Sequence, residues 1–234
     1  MKIESTSLKT VLLMIGAMFA IGLLLGHLYD VASFVAESTP VRQLHLEAWA
    51  KALCVNTVLA IGAAIWMWRN RPELPSFAVD PSLMKIAYGP TVAILGGSII
   101  LALASRILFP GATQASIHWH VWVWVFIVPI VEELIFRVRI GEWFRRLGGP
   151  LWGAWFSAAL FSFVHTQPTF EKMIALEIGL PLGPFLLGLM CEVIYIKTRR
   201  LLPIVILHGI CNGTVVIFSL IDSRWFAWLS LLYS

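Results

Sequence analysis

The chain has 234 residues, of which 59% are hydrophobic and only 13% charged. A water-soluble domain carries about 25% charged residues, so the composition excludes an ordinary soluble enzyme and points to a protein embedded in a bilayer. The net charge of +4 does not indicate nucleic acid: no basic aromatic patch or nucleic-acid module is visible, and Lys and Arg held on one membrane face give the same excess.

In chain order the apolar blocks predict helices over 8–29, 47–68, 83–109, 119–146, 151–165, 178–197 and 201–221. Most approach the roughly 20 residues that cross about 30 Å of hydrocarbon. Lys2 and Lys9 precede the first block in the manner of a signal peptide, but the block is long and no small-residue cleavage site follows, so it is read as a retained helix. Pro72, Pro75 and Pro81 punctuate the loop after the second block, and residues 224–234 are apolar but too short to span. Three cysteines, Cys54, Cys191 and Cys211, lie inside apolar blocks and read as small buried residues rather than disulfides or metal ligands. The expected fold is all-α: a polytopic membrane helical bundle of about seven spans plus a short C-terminal apolar segment. It forms one domain over 1–234, with 1–116 as accessory helices and 117–221 as the core.

Basic residues set the orientation. With the N-terminus in the cytoplasm, twelve of the 17 Lys and Arg fall on inner segments, and only Arg42, Lys51, Arg106, Lys172 and Arg224 do not.

An ionisable side chain inside a span costs at least ~2.5–3.5 kcal/mol near the centre, so each needs a reason. The exceptions gather in the second half: Glu132, Glu133 and Arg137 in the fourth helix, His165 in the fifth, His208 and Asn212 in the seventh. Gly148-Gly149-Pro150 reads as a helix stop followed by a helix start. Glu132 and His165 lie equally far along the chain from that turn, so in an antiparallel hairpin they reach one depth, roughly 25 Å from it. His208 and Asn212 share a face at i and i+4, as do Glu133 and Arg137 with the acid first, the better order for a pair. On this reading Glu133 neutralises Arg137 while Glu132, about 100° around the helix, faces a pocket. An activated water, rather than a Ser or Cys, is the expected nucleophile. A carboxylate serves as base, and N–H donors stabilise an oxyanion.

Glu132-Glu133-x-x-x-Arg137, Phe161-x-x-x-His165 and His208-x-x-x-Asn212 resemble the three motifs of the CPBP family, which includes type II CAAX prenyl endopeptidases and bacterial abortive infection proteins. The resemblance covers about 119–221, under half of the chain, and leaves the first three helices without a signature. It implies a glutamate-type intramembrane endopeptidase in a bacterial inner membrane, acting on a membrane-associated protein or peptide. Glu132 and His165 would activate water, His208 and Asn212 would bind the oxyanion, and Glu133, Arg137 and Phe161 would support them. Val138 replaces the small residue usual after the motif Arg. The family has also been called metallo-type, which implies Zn²⁺ on Glu132, His165 and His208. No His-Glu-x-x-His helix is present, so the reading without a cofactor is preferred.

The competing readings are a catalytically silent scaffold or immunity factor using the same pocket, and a proton-coupled transporter. The second should show repeat symmetry and paired broken helices, and neither is visible. His118-Trp119-His120 reads as part of an interfacial aromatic belt, and Gly179, Gly183 and Gly188 with Pro181 and Pro184 predict a kinked, closely packed sixth helix.

Overall fold

In a computed structural model, residues 7–36, 125–177 and 179–221 are described, with isolated positions at 58, 61–62, 65 and 100. Apart from those positions, the expected helices over 47–68 and 83–109 lie outside the described residues, as do His118-Trp119-His120 and the tail 224–234. Every element among the described residues is helical, and no strand occurs among them.

Helix α1, Leu8–Ala36, runs beyond its expected end at 29. Asp30 does not stop it, because its side chain is half exposed and meets exposed His27 one turn back at 3.5 Å. Helix α2, Val128–Glu133, begins with Pro129 in its first turn, where the missing N–H was an orphan in any case. It continues without a break into Leu134–Gly141, and then into α3, Glu142–His165. Here the structure corrects the expectation of one regular helix, since Leu134–Gly141 is π-helical. Its backbone bonds reach five residues back instead of four, a geometry usually confined to single turns at functional sites.

The hairpin is where the Gly-Gly-Pro turn places it. Gly149 has φ 78° and ψ 175°, non-helical and in the region that favours glycine, and Pro150 starts the second arm. The 38 residues of Val128–His165 are therefore two arms folded back on one another. The arms touch closely: a Cβ on Gly153 would meet the backbone of Arg145 at 2.6 Å.

Beyond the second arm, α4 (Phe170–Ile174) is capped by the Thr169 hydroxyl, which accepts the Lys172 N–H at 3.2 Å. Phe170, Ile174 and Leu176 stand exposed on this connection, as on an element lying in the headgroup boundary. Helix α5 is Leu182–Thr198 and α6 is Leu202–Ile221. Helix α5 starts at Leu182, not at the expected 178, with Pro181 as its N-cap and Pro184 in the first turn. The prolines thus begin the helix instead of kinking it, while Gly188 does give the expected close packing: a Cβ there would come within 3.1 Å of Ala158 Cα. Arg199, with φ 50°, turns the chain from α5 to α6 and donates its N–H to Tyr195 O at 2.8 Å.

The second arm of α3 is the centre of the bundle. It packs against α1 on one side and α5 on another, and α6 closes the group against α5 and α2. Phe144, Leu160, Phe161, Leu201, Ile204 and Leu207 are fully buried between these helices. Lipid gives no hydrophobic drive for helices to associate, so small residues at the contacts matter. Gly22 and Gly26 of α1 lie directly on the Phe163 ring and the Pro168 carbonyl, while Met14 covers Gly148 at the hairpin turn. The opposite side of α1, with Leu12, Leu13, Leu24 and Phe34, is exposed. Helix α1 is long and apolar enough to cross a membrane, as is the helical run 128–165 taken end to end, and Leu202–Val216 is a shorter apolar helix.

Candidate functional site

Glu132 and Glu133 end α2 at the point where the helix widens, and Arg137 sits within the π-helical turns. His165 is the last residue of α3, four residues after Phe161, and His208 and Asn212 share one face of α6. Three helices thus deliver the polar groups to one place.

His208 lies between the two carboxylates. Its Nδ1 donates to Glu133 Oε1 at 2.8 Å, and its Nε2 is 3.6 Å from Glu132 Oε2. Glu133 turns its other oxygen to Arg137 Nε at 3.0 Å. The ion contact with Arg137 agrees with the sequence reading of Glu133. The bond to His208 was not foreseen, and it makes Glu133 a bridge between its own helix and α6. Glu133 and Arg137 are fully buried, whereas the Glu132 side chain keeps 13% exposure. The Arg137–Glu133 contact is not aligned as a hydrogen bond, and Nη1 and Nη2 of Arg137 have no hydrogen-bond partner among the described residues.

Phe161 supplies the common surface. Its ring centroid is 4.6 Å from that of His165 and 5.6 Å from that of His208, both edge-on. Arg137 Cζ lies 4.6 Å over the same ring, and Phe136 packs edge-on at 5.1 Å. Both imidazoles and the guanidinium are therefore located by one fully buried phenyl group, with a cation–π attraction that strengthens away from water.

Backbone contacts fix the ring protons. His165 Nδ1 bonds the Phe161 carbonyl at 2.7 Å. A carbonyl only accepts, so Nδ1 carries the hydrogen and a neutral His165 presents a bare Nε2. In His208 the Nδ1 hydrogen is used on Glu133, so its Nε2 donates only when the ring carries a second proton. Asn212, one turn beyond His208, is partly buried. Among the described residues no three His, Cys, Asp or Glu side chains converge closely enough to hold a metal ion.

Two buried charges beside the site escaped the sequence reading. Glu192 of α5 is fully buried and pairs with Arg145 Nη1. Arg145, 8% exposed, also donates from Nη2 to the Arg137 carbonyl at 2.8 Å and to Glu142 Oε2 at 3.1 Å. Glu192 was detectable by the rule that found the others, being a lone acid in an apolar helix. Arg145 was hidden by its place near a turn, where basic residues ordinarily mark topology. Cys191, next to Glu192 in sequence, is buried and Cys211 is half-buried, while Cys54 lies outside the described residues.

Residues 114–214 match the family model described as type II CAAX prenyl endopeptidase Rce1-like, in agreement with the resemblance to the CPBP family. All seven motif residues fall inside that segment, and α1 lies outside it. No curated protein and no solved structure matches the chain. The matched segment, under half of the chain, is thus similar to a family of proteases, and helices long and apolar enough to cross a membrane accompany it.

Proposed function

We propose that the chain is an intramembrane endopeptidase that hydrolyses a peptide bond in a membrane-associated protein or peptide, with water activated by Glu132 and His165. The observation that carries the reading is His208 lodged between Glu132 and Glu133, with His165 beside it on the Phe161 ring.

Burial divides the two carboxylates. Glu133 is sealed and engaged by Arg137 and His208, while Glu132 is the one that solvent reaches. Glu132 is accordingly the base. A water in contact with Glu132 gives it a proton as its oxygen attacks the scissile carbonyl, and the bare Nε2 of His165 accepts the water's other hydrogen to aim it. Asn212 and doubly protonated His208 donate to the oxyanion that forms. Glu132 then passes its proton to the departing amine, the C–N bond breaks, and the carboxylate is restored. A positioned base of this kind contributes about 10²–10⁴-fold, and each oxyanion donor about 10²–10³-fold.

The working location is a bacterial inner membrane with the N-terminus in the cytoplasm, as the distribution of Lys and Arg suggests. The test compares protein termini by mass spectrometry in membranes from cells carrying the wild-type chain or Glu132→Gln. At least one new terminus should appear only with wild type. Identical termini in the two samples, with both proteins present at equal level, would overturn the reading.

A further inference from the structure

The widened turns Leu134–Gly141 follow immediately after the two glutamates, and they are an expensive conformation to maintain. Runs of i→i+5 bonding are rare beyond a single turn, so eight residues of it need support from outside the helix. Two carbonyls within the segment receive that support. Phe136 O accepts a hydrogen bond from Ser157 Oγ at 3.0 Å, and Arg137 O accepts one from Arg145 Nη2 at 2.8 Å. Arg145 is in turn held by the fully buried Glu192, which comes from α5 and lies against Ser157 and near Arg137. Gly141 makes the space. A Cβ there would run into Glu192 Oε1 and come within 2.8 Å of Phe136 O.

Resting on the protease reading above, we propose that Arg145, Glu192 and Ser157 act as positioning residues, clamping the widened turns so that Glu132 and Glu133 meet His208. A slip of one residue turns a helix face by about 100°, enough to carry either carboxylate off the imidazole. The buried Arg145–Glu192 pair is a poor device for stability alone, since a well-packed apolar pair of similar volume commonly serves as well or better. An apolar pair cannot hydrogen-bond the Arg137 carbonyl, and that separates the two roles.

The experiment uses the full chain in detergent with a cleavable peptide identified from the termini comparison. The variants are Ser157→Ala, Ser157→Thr and the double neutralisation Arg145→Met/Glu192→Leu. The double variant should unfold near the wild-type temperature, while kcat falls by about 10- to 100-fold, the penalty of a small misplacement, with KM unchanged. Ser157→Ala should lower kcat in the same sense, and Ser157→Thr, which keeps the hydroxyl, should restore it. A second readout needs no turnover. In protein labelled with ¹⁵N-histidine, the His208 Nδ1 signal, assigned with His208→Asn, reports the bond to Glu133 and should shift in the double variant and in Ser157→Ala. Unchanged kcat and an unchanged His208 signal in folded variants would overturn the clamp. If the double variant does not fold, Ser157→Ala and Ser157→Thr decide the matter by themselves. Should wild-type protein cleave nothing, the protease reading fails, and the His208 signal still decides whether the clamp sets the glutamates.

Discussion

Arg137 shows how one side chain is constrained from several directions. Its guanidinium meets Glu133, lies over Phe161, and is out of reach of water. Removing one member of a buried charge pair leaves the other uncompensated, at a cost of about 3–5 kcal/mol. Arg137→Met should therefore lower the stability of the detergent-solubilised protein by that amount in a denaturant titration, and activity should fall with it. Glu132→Gln should behave differently. Its side chain is partly exposed and its one close ionic contact among the described residues, His208, is at 3.6 Å, so the unfolding transition should hardly move while cleavage falls by about 10²–10⁴-fold. Because the proposed steps run through Glu132, His165, His208 and Asn212 alone, cleavage by purified protein should persist after dialysis against a strong chelator. Loss of activity on chelation, restored by Zn²⁺, would replace this mechanism with a metal-assisted one.

At the scale of elements, the sequence disclosed the hairpin and concealed the widened turns. Gly148-Gly149-Pro150 combines a residue that tolerates positive φ with one that begins helices, and both effects act locally, so they can be read without tertiary information. Gly149→Ala forces a side chain into that left-handed region and should cost about 1–2 kcal/mol, measured as a lower unfolding midpoint, with the site chemistry kept in the folded fraction. The π-helical turns have no such local cause. Ser157 Oγ and Arg145 Nη2 donate to the Phe136 and Arg137 carbonyls within them, and Glu192, from another helix, holds Arg145. The i and i+4 spacing of Glu133 with Arg137 survived the widening, so that pair was found. The bond from Glu133 across to His208 depends on how α6 docks, which no spacing within one helix reveals. Asn212 shares a face of α6 with His208 by the i and i+4 periodicity alone.

For the molecule as a whole, the hairpin turn and the 166–181 connection lie at opposite ends of the α3 arm, with Lys172 binding the Thr166 and Gln167 carbonyls at the end next to His165. Single cysteines introduced at position 147 and position 171, in a chain freed of its own three thiols, should react with a membrane-impermeant reagent from opposite sides of sealed vesicles. Labelling of both from one side would rule out a crossing arm. Helix α1 carries no motif and lies outside the segment that matches the protease family, yet it touches the α3 arm at both ends, through Met14 at Gly148 and Gly26 at Pro168. It works as a splint along the limb that bears His165. A fragment trimmed to the recognisable segment would keep every reactive group and lose the brace that keeps one of them in line. The signature thus marks where the proposed chemistry lies, and not how much polypeptide is needed to hold it still.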